Sequence, residues 1–312
     1  MSKIEVLGTP VAPAESVGTD WVDRKEYPFA SRYYRVPGGR LHYVDEGEGE
    51  AIVFSHGTPT WSFEWRHLVT GLSDDHRAIA PDHLGFGLSD RPRSEDYSPE
   101  AHAARFAAFV DALDVDGFTL VVHDFGGPIA LPHALSHPER IRRLVVINSF
   151  MWPLWDDPQL RKIAKFAGGN SMRLLYKYAN ASLRLIAPSA YGDRKKLTPA
   201  IHEQYLAPFR DRWAREHVLW ALAKALEGSS GFYRSLFERR QALSGIPALV
   251  IWGMKDSAFK PPVFEKWSEI LPQARRVPVS TAGHWPHEEE PAAVLGALRE
   301  FLKATGSLVQ RT

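Results

Sequence analysis

Short apolar segments alternate with helical segments along most of the chain, and this alternation constrains the fold more than any other feature of the sequence. The apolar segments are rich in β-branched residues and lack polar alternation, which is typical of strands covered on both faces in a parallel sheet. Together with helical patterns at 99–113, 126–136 and 291–302, they predict an α/β fold with a mostly parallel sheet and helices on both faces. The candidate strands are 51–55, 77–80, 118–123, 142–148, 248–252 and 274–279, preceded by a hairpin of 33–36 and 40–44.

Residues 151–241 interrupt the alternation, because they contain no convincing buried strand and show helical periodicity throughout. Strand-like sequence resumes at Ile246. We therefore predict a core in two parts, 1–150 and 242–312, with 151–241 forming a helical cap that is inserted between two neighbouring strands. The alternative interpretation is a separate helical domain in the same position.

Composition excludes several classes of function. The net charge is +1, from 38 basic and 37 acidic residues, whereas nucleic-acid-binding proteins usually carry a basic excess. The absence of cysteine excludes disulfides, thiol catalysis and thiolate metal sites. Because the sequence has no His-Glu-x-x-His spacing and no Walker loop, we expect neither a metal nor a cofactor. It also has no apolar stretch of signal-peptide or membrane-spanning length, so we expect a cytoplasmic protein without a nucleic-acid or membrane partner.

The sequence VVHDFGG at 121–127 leads from a predicted strand through a glycine-rich turn into a helix. This is the setting of a nucleophile elbow, in which the central residue of Gly-x-Ser-x-Gly is presented at the end of a strand. Asp124 stands at the central position in place of serine, and Val122 replaces the first glycine. A simpler interpretation competes with this one, in which Asp124 only caps the helix that begins at Gly126.

Two further segments place polar residues directly after predicted strands, at the edge where open α/β sheets build their sites. The loop SHGTPT at 55–60 follows the first parallel strand, and its His56 is predicted to be a structural hydrogen-bonding residue. Asp256 ends a later strand and His284 follows the next one, which gives the chain order nucleophile, acid, histidine that α/β-hydrolases share. The polar run HEEE at 287–290 is predicted to be a solvated helix start.

An aspartate at the elbow favours a different reaction from that of a serine hydrolase. A carboxyl group with an ordinary pKa of about 3.9 is ionised at neutral pH and needs no base to become a nucleophile. Attack by Asp124 on an sp³ carbon would displace a leaving group and form an alkyl-enzyme ester. His284, oriented by Asp256, would then activate the water that cleaves this ester, while the backbone N–H groups of Thr58 and Phe125 hold the oxyanion. The predicted substrates are therefore alkyl halides or epoxides rather than carboxylic esters.

Between about residues 28 and 302, the sequence resembles the haloalkane dehalogenases of the α/β-hydrolase superfamily. The segments that carry the resemblance are LHYVDEG at 41–47, HGTPTWSF at 56–63, APDHLGFGLS at 80–89 and WGMKD at 252–256. The resemblance implies an α/β-hydrolase fold and the hydrolysis of a small apolar halogenated substrate by water, with Asp124 as nucleophile, His284 as base and Asp256 as its partner. Asn148 occupies the position where another subgroup places a catalytic glutamate.

The sequence departs from this family at the positions that bind the departing halide. The family usually carries tryptophan directly after the nucleophile and often asparagine after the His-Gly pair, where this chain has Phe125 and Thr58. Charge-assisted hydrogen bonds of about 1.5–3 kcal/mol each are thereby lost, which corresponds to a factor on the order of 10²–10⁴ in halide departure. Some relatives use a tryptophan of the cap instead, so Trp152 and Trp155 are candidates for binding the leaving group. The alternative for both is packing within the cap.

Other functions stay open at this point. An epoxide hydrolase would share the Asp-His chemistry but would need cap tyrosines that protonate the epoxide oxygen. Hydrolysis of esters or lactones and a non-catalytic receptor for small ligands are further alternatives, and self-association into a homo-oligomer is open as well. The tyrosines of the predicted cap that could serve an epoxide hydrolase are Tyr176, Tyr178, Tyr191, Tyr205 and Tyr233.

Overall fold

An eight-stranded sheet forms the centre of the protein, whose computed structural model describes residues 19–154 and 157–309. All the predicted strands are present, with bounds that differ from the prediction by one or two residues at most. The strands are β1 (Arg32–Val36), β2 (Gly39–Glu46), β3 (Glu50–Ser55), β4 (His76–Pro81), β5 (Phe118–Asp124), β6 (Ile141–Ser149), β7 (Ala248–Gly253) and β8 (Arg275–Val279).

The strand directions bring the carboxyl ends of the central strands to one edge of the sheet. The order across the sheet is β1-β2-β4-β3-β5-β6-β7-β8. β1 and β2 form an antiparallel hairpin and β2 runs antiparallel to β4, whereas every neighbouring pair from β4 to β8 is parallel. Every residue of β5 and of β7 is buried, as expected for strands covered on both faces. The predicted α/β fold with a mostly parallel sheet is therefore confirmed.

Helices connect the strands, and their ends carry ordinary sequence signals. In the second helix, Ser98 is the N-cap, and its hydroxyl accepts a hydrogen bond from the N–H of Ala101. Pro99 follows it as the first residue of the helix. The helices are α1 (Arg66–Leu72), α2 (Pro99–Ala112), α3 (Gly126–Ser136), α4 (Pro158–Ala167), α5 (Asn170–Ala179), α6 (Ala187–Ala190), α7 (Pro199–Leu206), α8 (Arg212–Ala214), α9 (Trp220–Gly228), α10 (Ser230–Glu238), α11 (Pro261–Ile270), α12 (Pro286–Glu289) and α13 (Pro291–Val309).

Every element that the structure describes between β6 and β7 is helical, and we call residues 158–238, from α4 to α10, the helical segment. Two π-helical turns, Ser182–Ile186 and Arg215–Leu219, interrupt its α-helical geometry. Leu160, Met172 and Phe209 of this segment belong to the same apolar core as the sheet, so the two parts pack as one continuous interior. Among the described residues, no helix combines the length and the apolar character needed to span a bilayer.

Candidate active site

Asp124 lies at a sharp turn between β5 and α3, at the carboxyl edge of the parallel strands. Its φ of 48° lies in the left-handed region that non-glycine residues rarely adopt, so the turn holds Asp124 in a strained conformation. The backbone behind the turn is tightly packed, because a Cβ atom at Gly126 would overlap the carbonyl group of Ser55. The Ser149 hydroxyl donates to the carbonyl oxygen of Asp124 at 2.6 Å and fixes the turn from the other side. The turn therefore has the geometry of a nucleophile elbow.

The side chains of Asp124, His284 and Asp256 meet at this edge of the sheet. His284 Nδ1 lies 2.6 Å from Asp256 Oδ2, and His284 Nε2 lies 3.4 Å from Asp124 Oδ2. All three residues are buried. The imidazole is thus held between two carboxylates, in the arrangement of a nucleophile, a histidine and its orienting acid.

Hydrogen bonds to both carboxylate oxygens fix the orientation of Asp256. Its Oδ1 accepts from the backbone N–H groups of Ala258 at 2.8 Å and Phe259 at 2.9 Å. Its Oδ2 accepts from Asn148 Nδ2 at 2.8 Å, and Asn148 Oδ1 accepts from the N–H of Gly253 at 2.8 Å. Asn148 therefore positions the acid, a role that the sequence did not indicate.

One oxygen of Asp124 is held by backbone donors. Its Oδ1 accepts a hydrogen bond from the Thr58 N–H at 2.9 Å, and the N–H of Phe125 also bonds the carboxylate. The loop that carries Thr58 is tied to a neighbouring loop, because the N–H of His83 donates to His56 Nε2 at 2.9 Å. The structure thus brings the N–H groups of the two residues that the sequence proposed for an oxyanion hole to the Asp124 carboxylate, and places His56 in the support of the loop.

The charges of the site stabilise one another. Burial alone lowers the pKa of His284, but the charges of Asp256 and Asp124 and its hydrogen bonds to both outweigh burial and raise this pKa to about 10. Burial raises the pKa of Asp124, yet the hydrogen bond and charge of His284 hold it below its ordinary value. The pKa of Asp256 is likewise raised by burial and lowered more strongly by the charge and hydrogen bond of His284. At neutral pH, the resting site therefore contains two carboxylates around an imidazolium.

A cavity of about 350 Å³ lies in front of Asp124 and His284. Its polar groups are few. The buried Thr58 hydroxyl and Trp285 Nε1 have no hydrogen-bond partner in the part of the chain that the structure describes, and the Tyr176 hydroxyl bonds to Ser182. Burial raises the pKa of Tyr176 to about 12, so this hydroxyl keeps its proton at neutral pH. The apolar lining includes Phe125, Leu154, Leu160, Ile163, Phe166 and Phe259.

The structure does not place Trp152, one of the two proposed tryptophan ligands of the leaving group, at this cavity. Trp152 is absent from the lining; its ring packs edge-on against Trp267 at a centroid distance of 5.4 Å and beneath the ammonium group of Lys266. The alternative interpretation, packing, is therefore the one that fits Trp152. Trp155 lies outside the described residues. Trp285, which directly follows the histidine, is a lining indole that sequence reasoning did not single out.

An epoxide hydrolase would need two tyrosine hydroxyls near the nucleophile. Of the five candidate tyrosines, Tyr176 is the one among the described lining residues of the cavity. Tyr178 is 58% exposed, and Tyr191 and Tyr205 line a separate small cavity. Tyr233 is buried with an unpartnered hydroxyl within the described residues, and does not reach the lining either. The geometry therefore gives the epoxide alternative little support.

A buried polar cluster lies behind His284, and sequence reasoning missed it. His123 Nε2 donates to the carbonyl oxygen of His284 at 2.9 Å, while its Nδ1 lies 3.2 Å from Glu64 Oε1. His287 Nε2 lies 3.9 Å from Glu64 Oε1. Three such ligand atoms could hold a metal ion, but a structural zinc needs a fourth ligand and a catalytic metal needs an open position, whereas this cluster is fully enclosed. Its evident role is to support the backbone of His284. In the sequence, the charged Glu64 between the aromatic residues at 63 and 65 is the feature that could have indicated a buried polar cluster.

The polar run after His284 is not a solvated helix start, contrary to the prediction. Glu289 is buried and accepts a hydrogen bond from the N–H of Gly283 at 2.7 Å. The Glu288 side chain is also buried and forms an ion pair with Arg66. These carboxylates satisfy buried donors around the loop that carries the histidine, which is why they are enclosed rather than hydrated.

Comparison with known proteins gives a consistent family. Residues 50–291 match the family model of the alpha/beta hydrolase fold. The chain is 33% identical over 279 residues to haloalkane dehalogenase 2 of Mycobacterium tuberculosis, covering 89% of this chain and 96% of that protein. It is also 33% identical over 291 residues to the cis-3-alkyl-4-alkyloxetan-2-one decarboxylase of Shewanella oneidensis, covering 90% and 91% of the two chains.

Solved structures with lower sequence identity share the fold. The crystal structure of the haloalkane dehalogenase DbeA from Bradyrhizobium elkani superposes with a TM-score of 0.79 at 21% identity, covering 90% of this chain and 99% of that one. The haloalkane dehalogenase DatA from Agrobacterium tumefaciens superposes with a TM-score of 0.77 at 24% identity, covering 88% and 97%.

Proposed function

The chain belongs to the α/β-hydrolase family and is a haloalkane dehalogenase-like enzyme, and from this premise we propose that it hydrolyses carbon–halogen bonds of small apolar substrates through a covalent ester on Asp124. One observation carries the proposal. A buried, ionised aspartate at an elbow faces an apolar cavity, and His284 Nε2 lies 3.4 Å from its Oδ2. A carboxylate in this position can attack an alkyl carbon directly, whereas a serine would need the histidine to remove its proton first.

In the first step, Asp124 Oδ2 attacks the carbon that bears the halogen. Because the Thr58 N–H holds Oδ1 and Oδ2 is the oxygen that faces His284 Nε2, we assign the new bond to Oδ2. The carbon–oxygen bond forms as the carbon–halogen bond breaks, and the halide leaves with the bonding electron pair. The lowered pKa of Asp124 keeps the nucleophile ionised across the neutral range.

In the second step, water attacks the carbonyl carbon of the ester on Asp124. His284 must be neutral to accept a proton from this water, although its pKa in the resting site is about 10. Esterification resolves the conflict, because it removes the charge and the hydrogen-bonding carboxylate that help to raise this pKa. Asp256 then stabilises the imidazolium that forms, and the N–H groups of Thr58 and Phe125 stabilise the oxyanion on Oδ1.

The leaving group meets an unusual set of donors in this cavity. Phe125 offers only the weakly positive edge of its ring, and Thr58 contributes one unpartnered hydroxyl. Trp285 also lines the cavity, and its buried indole N–H has no partner among the described residues. Bromide and iodide depart with less hydrogen-bond assistance than chloride, so we expect bromoalkanes and iodoalkanes to be better substrates than chloroalkanes.

The helical segment supplies much of the cavity lining, including Leu160, Ile163 and Phe166 of α4 and Tyr176 of α5. We assign it the role of the cap that the sequence predicts at 151–241. By enclosing Asp124 in apolar surroundings, such a cap excludes bulk water from the first step and selects apolar substrates.

Trapping the ester tests this proposal. His284→Gln removes the base but leaves the nucleophile, so incubation with 1-bromobutane should add the mass of one butyl group, as measured by intact-protein mass spectrometry. Asp124→Asn is the matched control and should gain no mass. Wild-type protein should release bromide. The assignment is refuted if the folded His284→Gln variant gains no mass and the wild-type protein releases no halide across a panel of bromoalkanes and iodoalkanes.

A second candidate reaction is favoured by the hydroxyl groups among the few polar groups of the cavity. Thr58, Tyr176 and Ser182 present hydroxyl groups, which suit a carboxylate leaving group better than a soft halide. The decarboxylase relative is named for oxetan-2-ones, four-membered lactones whose ring ester becomes a carboxylate leaving group when the ring opens. Asp124 would attack the ring carbon bonded to the ring oxygen and release the carboxylate. Loss of CO₂ would then expel Asp124 and leave an alkene.

Product analysis separates the two reactions. A cis-dialkyl oxetan-2-one should yield one alkene and one CO₂ per turnover if the second candidate holds, as measured by gas chromatography. His284→Gln should retain this activity, because the lactone route consumes no water, but should block dehalogenation. Bromide release without alkene formation would exclude the second candidate.

A further inference from the structure

Exposed large apolar side chains are concentrated in one part of the helical segment. Among the described residues, seven large apolar side chains are exposed, and all of them lie between positions 163 and 186. Phe166 is 68% exposed and Leu185 is 61% exposed. Soluble proteins rarely cluster such side chains without a partner surface. The set, which we call the apolar face, is Ile163, Phe166, Leu174, Leu175, Tyr178, Leu185 and Ile186.

The same stretch of chain is strongly basic. Residues 158–192 contain six basic residues and no acidic residue, although the whole chain has a net charge of only +1. The rest of the chain is therefore net acidic. Glu216 pairs with two of these cations, Arg173 and Lys177, and compensates only one positive charge. The six are Arg161, Lys162, Lys165, Arg173, Lys177 and Arg184.

The active-site cavity opens at this apolar face. Ile163, Phe166 and Ile186 are at once exposed and part of the cavity lining, so they form the rim of its entrance. An apolar substrate that enters the cavity therefore passes the apolar face. Whatever covers this face also controls what reaches Asp124.

We propose that the apolar face docks on an anionic phospholipid bilayer, with the cavity entrance turned towards the lipid. Apolar side chains interspersed with an excess of cations are the composition of helices that lie in the interface of a membrane. Charge argues for lipid rather than for a second copy of this chain, because a two-fold contact would press two basic faces together. Surface docking goes beyond the sequence analysis, which expected no membrane partner. Its consequence for catalysis, that apolar substrates enter from the bilayer, rests on the proposed function.

Vesicle flotation tests the docking without any need for turnover. The protein should float with vesicles of equal parts phosphatidylcholine and phosphatidylglycerol, and not with pure phosphatidylcholine. Raising the salt to about 1 M should abolish flotation, because it shortens the screening length from about 10 Å to about 3 Å. Absence of flotation on the mixed vesicles at low salt overturns the proposal.

Matched variants separate this surface from general electrostatic attraction. The double variant Lys162→Gln with Arg184→Gln should weaken vesicle binding by about 25-fold, since each basic residue near an anionic surface contributes about fivefold. Leu174→Asn should weaken it by about tenfold through lost apolar contact. Lys25→Gln with Lys303→Gln removes the same charge from exposed positions outside the helical segment and should leave binding unchanged. Equal losses in both double variants contradict the proposal.

Two further readouts complete the test. Sedimentation should show that the wild-type protein is monomeric in solution, or that any oligomer persists in Leu174→Asn. A dimer that dissociates in Leu174→Asn would assign the apolar face to self-association and overturn the proposal. In the lysine-arginine double variant, turnover of a long-chain bromoalkane dissolved in vesicles should fall, while turnover of water-dissolved 1-bromobutane stays at the wild-type level. Normal flotation with no turnover of either substrate would leave the docking intact and refute the proposed reaction.

Discussion

Restoring the missing halide donors provides a quantitative test of the leaving-group chemistry. Phe125→Trp places an indole N–H beside the nucleophile, and one charge-assisted hydrogen bond of about 1.5–3 kcal/mol corresponds to a gain of about 10- to 150-fold in the rate of halide departure. Extra volume in a packed core costs about 1–3 kcal/mol, but Phe125 lines a cavity of about 350 Å³, into which the larger ring can extend. We therefore expect the gain in rate to exceed the cost of the added volume.

The assay is chloride and bromide release from matched 1-chloroalkanes and 1-bromoalkanes under single-turnover conditions. The gain should be larger for chloride, the poorer leaving group. Adding Thr58→Asn to Phe125→Trp supplies a second side-chain N–H donor, and the combined gain should approach a factor on the order of 10³. The Thr58 backbone N–H on Asp124 is retained in this variant, so the oxyanion hole should be preserved.

The control for shape is benzothienylalanine at position 125, a ring of nearly the size of indole without its N–H. If it accelerates chloride release as much as tryptophan does, the gain comes from filling the cavity and the hydrogen-bond explanation is wrong. If neither variant changes chloride release while both bind substrate and stay folded, halide departure is not the step that limits the wild-type enzyme.

Three further predictions concern the elbow, the acid and the histidine. Gly126→Ala should destabilise the fold by about 1–3 kcal/mol or more in thermal unfolding, because its Cβ overlaps the Ser55 carbonyl, whereas Gly296→Ala on α13 meets nothing within 4 Å and should not. Asn148→Ala should cost about 1–3 kcal/mol and lower kcat, since it leaves the Gly253 N–H without its partner and removes one of the two donors to Asp256 Oδ2. The folded-state pKa of His284 is raised to about 10 from an unfolded value of about 6.5, so its stabilising contribution is complete below about pH 6.5 and is lost as the pH rises towards about 10. Thermal unfolding against pH should show this decline, and Asp256→Asn should flatten it.

The parts of this protein that local physics determines could be predicted from the sequence. The strands could be located because parallel strands buried on both faces leave unbroken apolar runs, as in β5 and β7. The elbow at Asp124 could be located because a strand, a glycine-rich turn and a helix follow one another within a few residues. The carboxyl ends of parallel strands then share one edge, so Asp256 and His284 could be expected to lie near the nucleophile.

The contacts between distant segments could not be predicted in this way. Nothing local to Asn148 indicates that it bonds Asp256, which lies 108 positions further along the chain. Glu289 is buried because it accepts a hydrogen bond from the backbone N–H of Gly283. A run of polar residues in the sequence instead predicts a solvent-exposed helix start. The sequence indicated Trp152 as an indole donor and not Trp285, because only packing places Trp285 at the cavity and Trp152 against Trp267.

In the proposed mechanism, the electrostatics of the site would let Asp124 and His284 act in sequence without interfering with each other. In the resting state, the two carboxylates hold a proton on His284 and raise its pKa to about 10, so the histidine cannot act as a base before a substrate has reacted. Alkylation converts Asp124 into a neutral ester and withdraws one of the two charges, which lowers the pKa of His284 only after the ester exists. The remaining charge of Asp256, fixed by Asn148 and two backbone N–H groups, then supports the imidazolium that ester hydrolysis creates. In the proposed mechanism, the first chemical step therefore activates the base for the second.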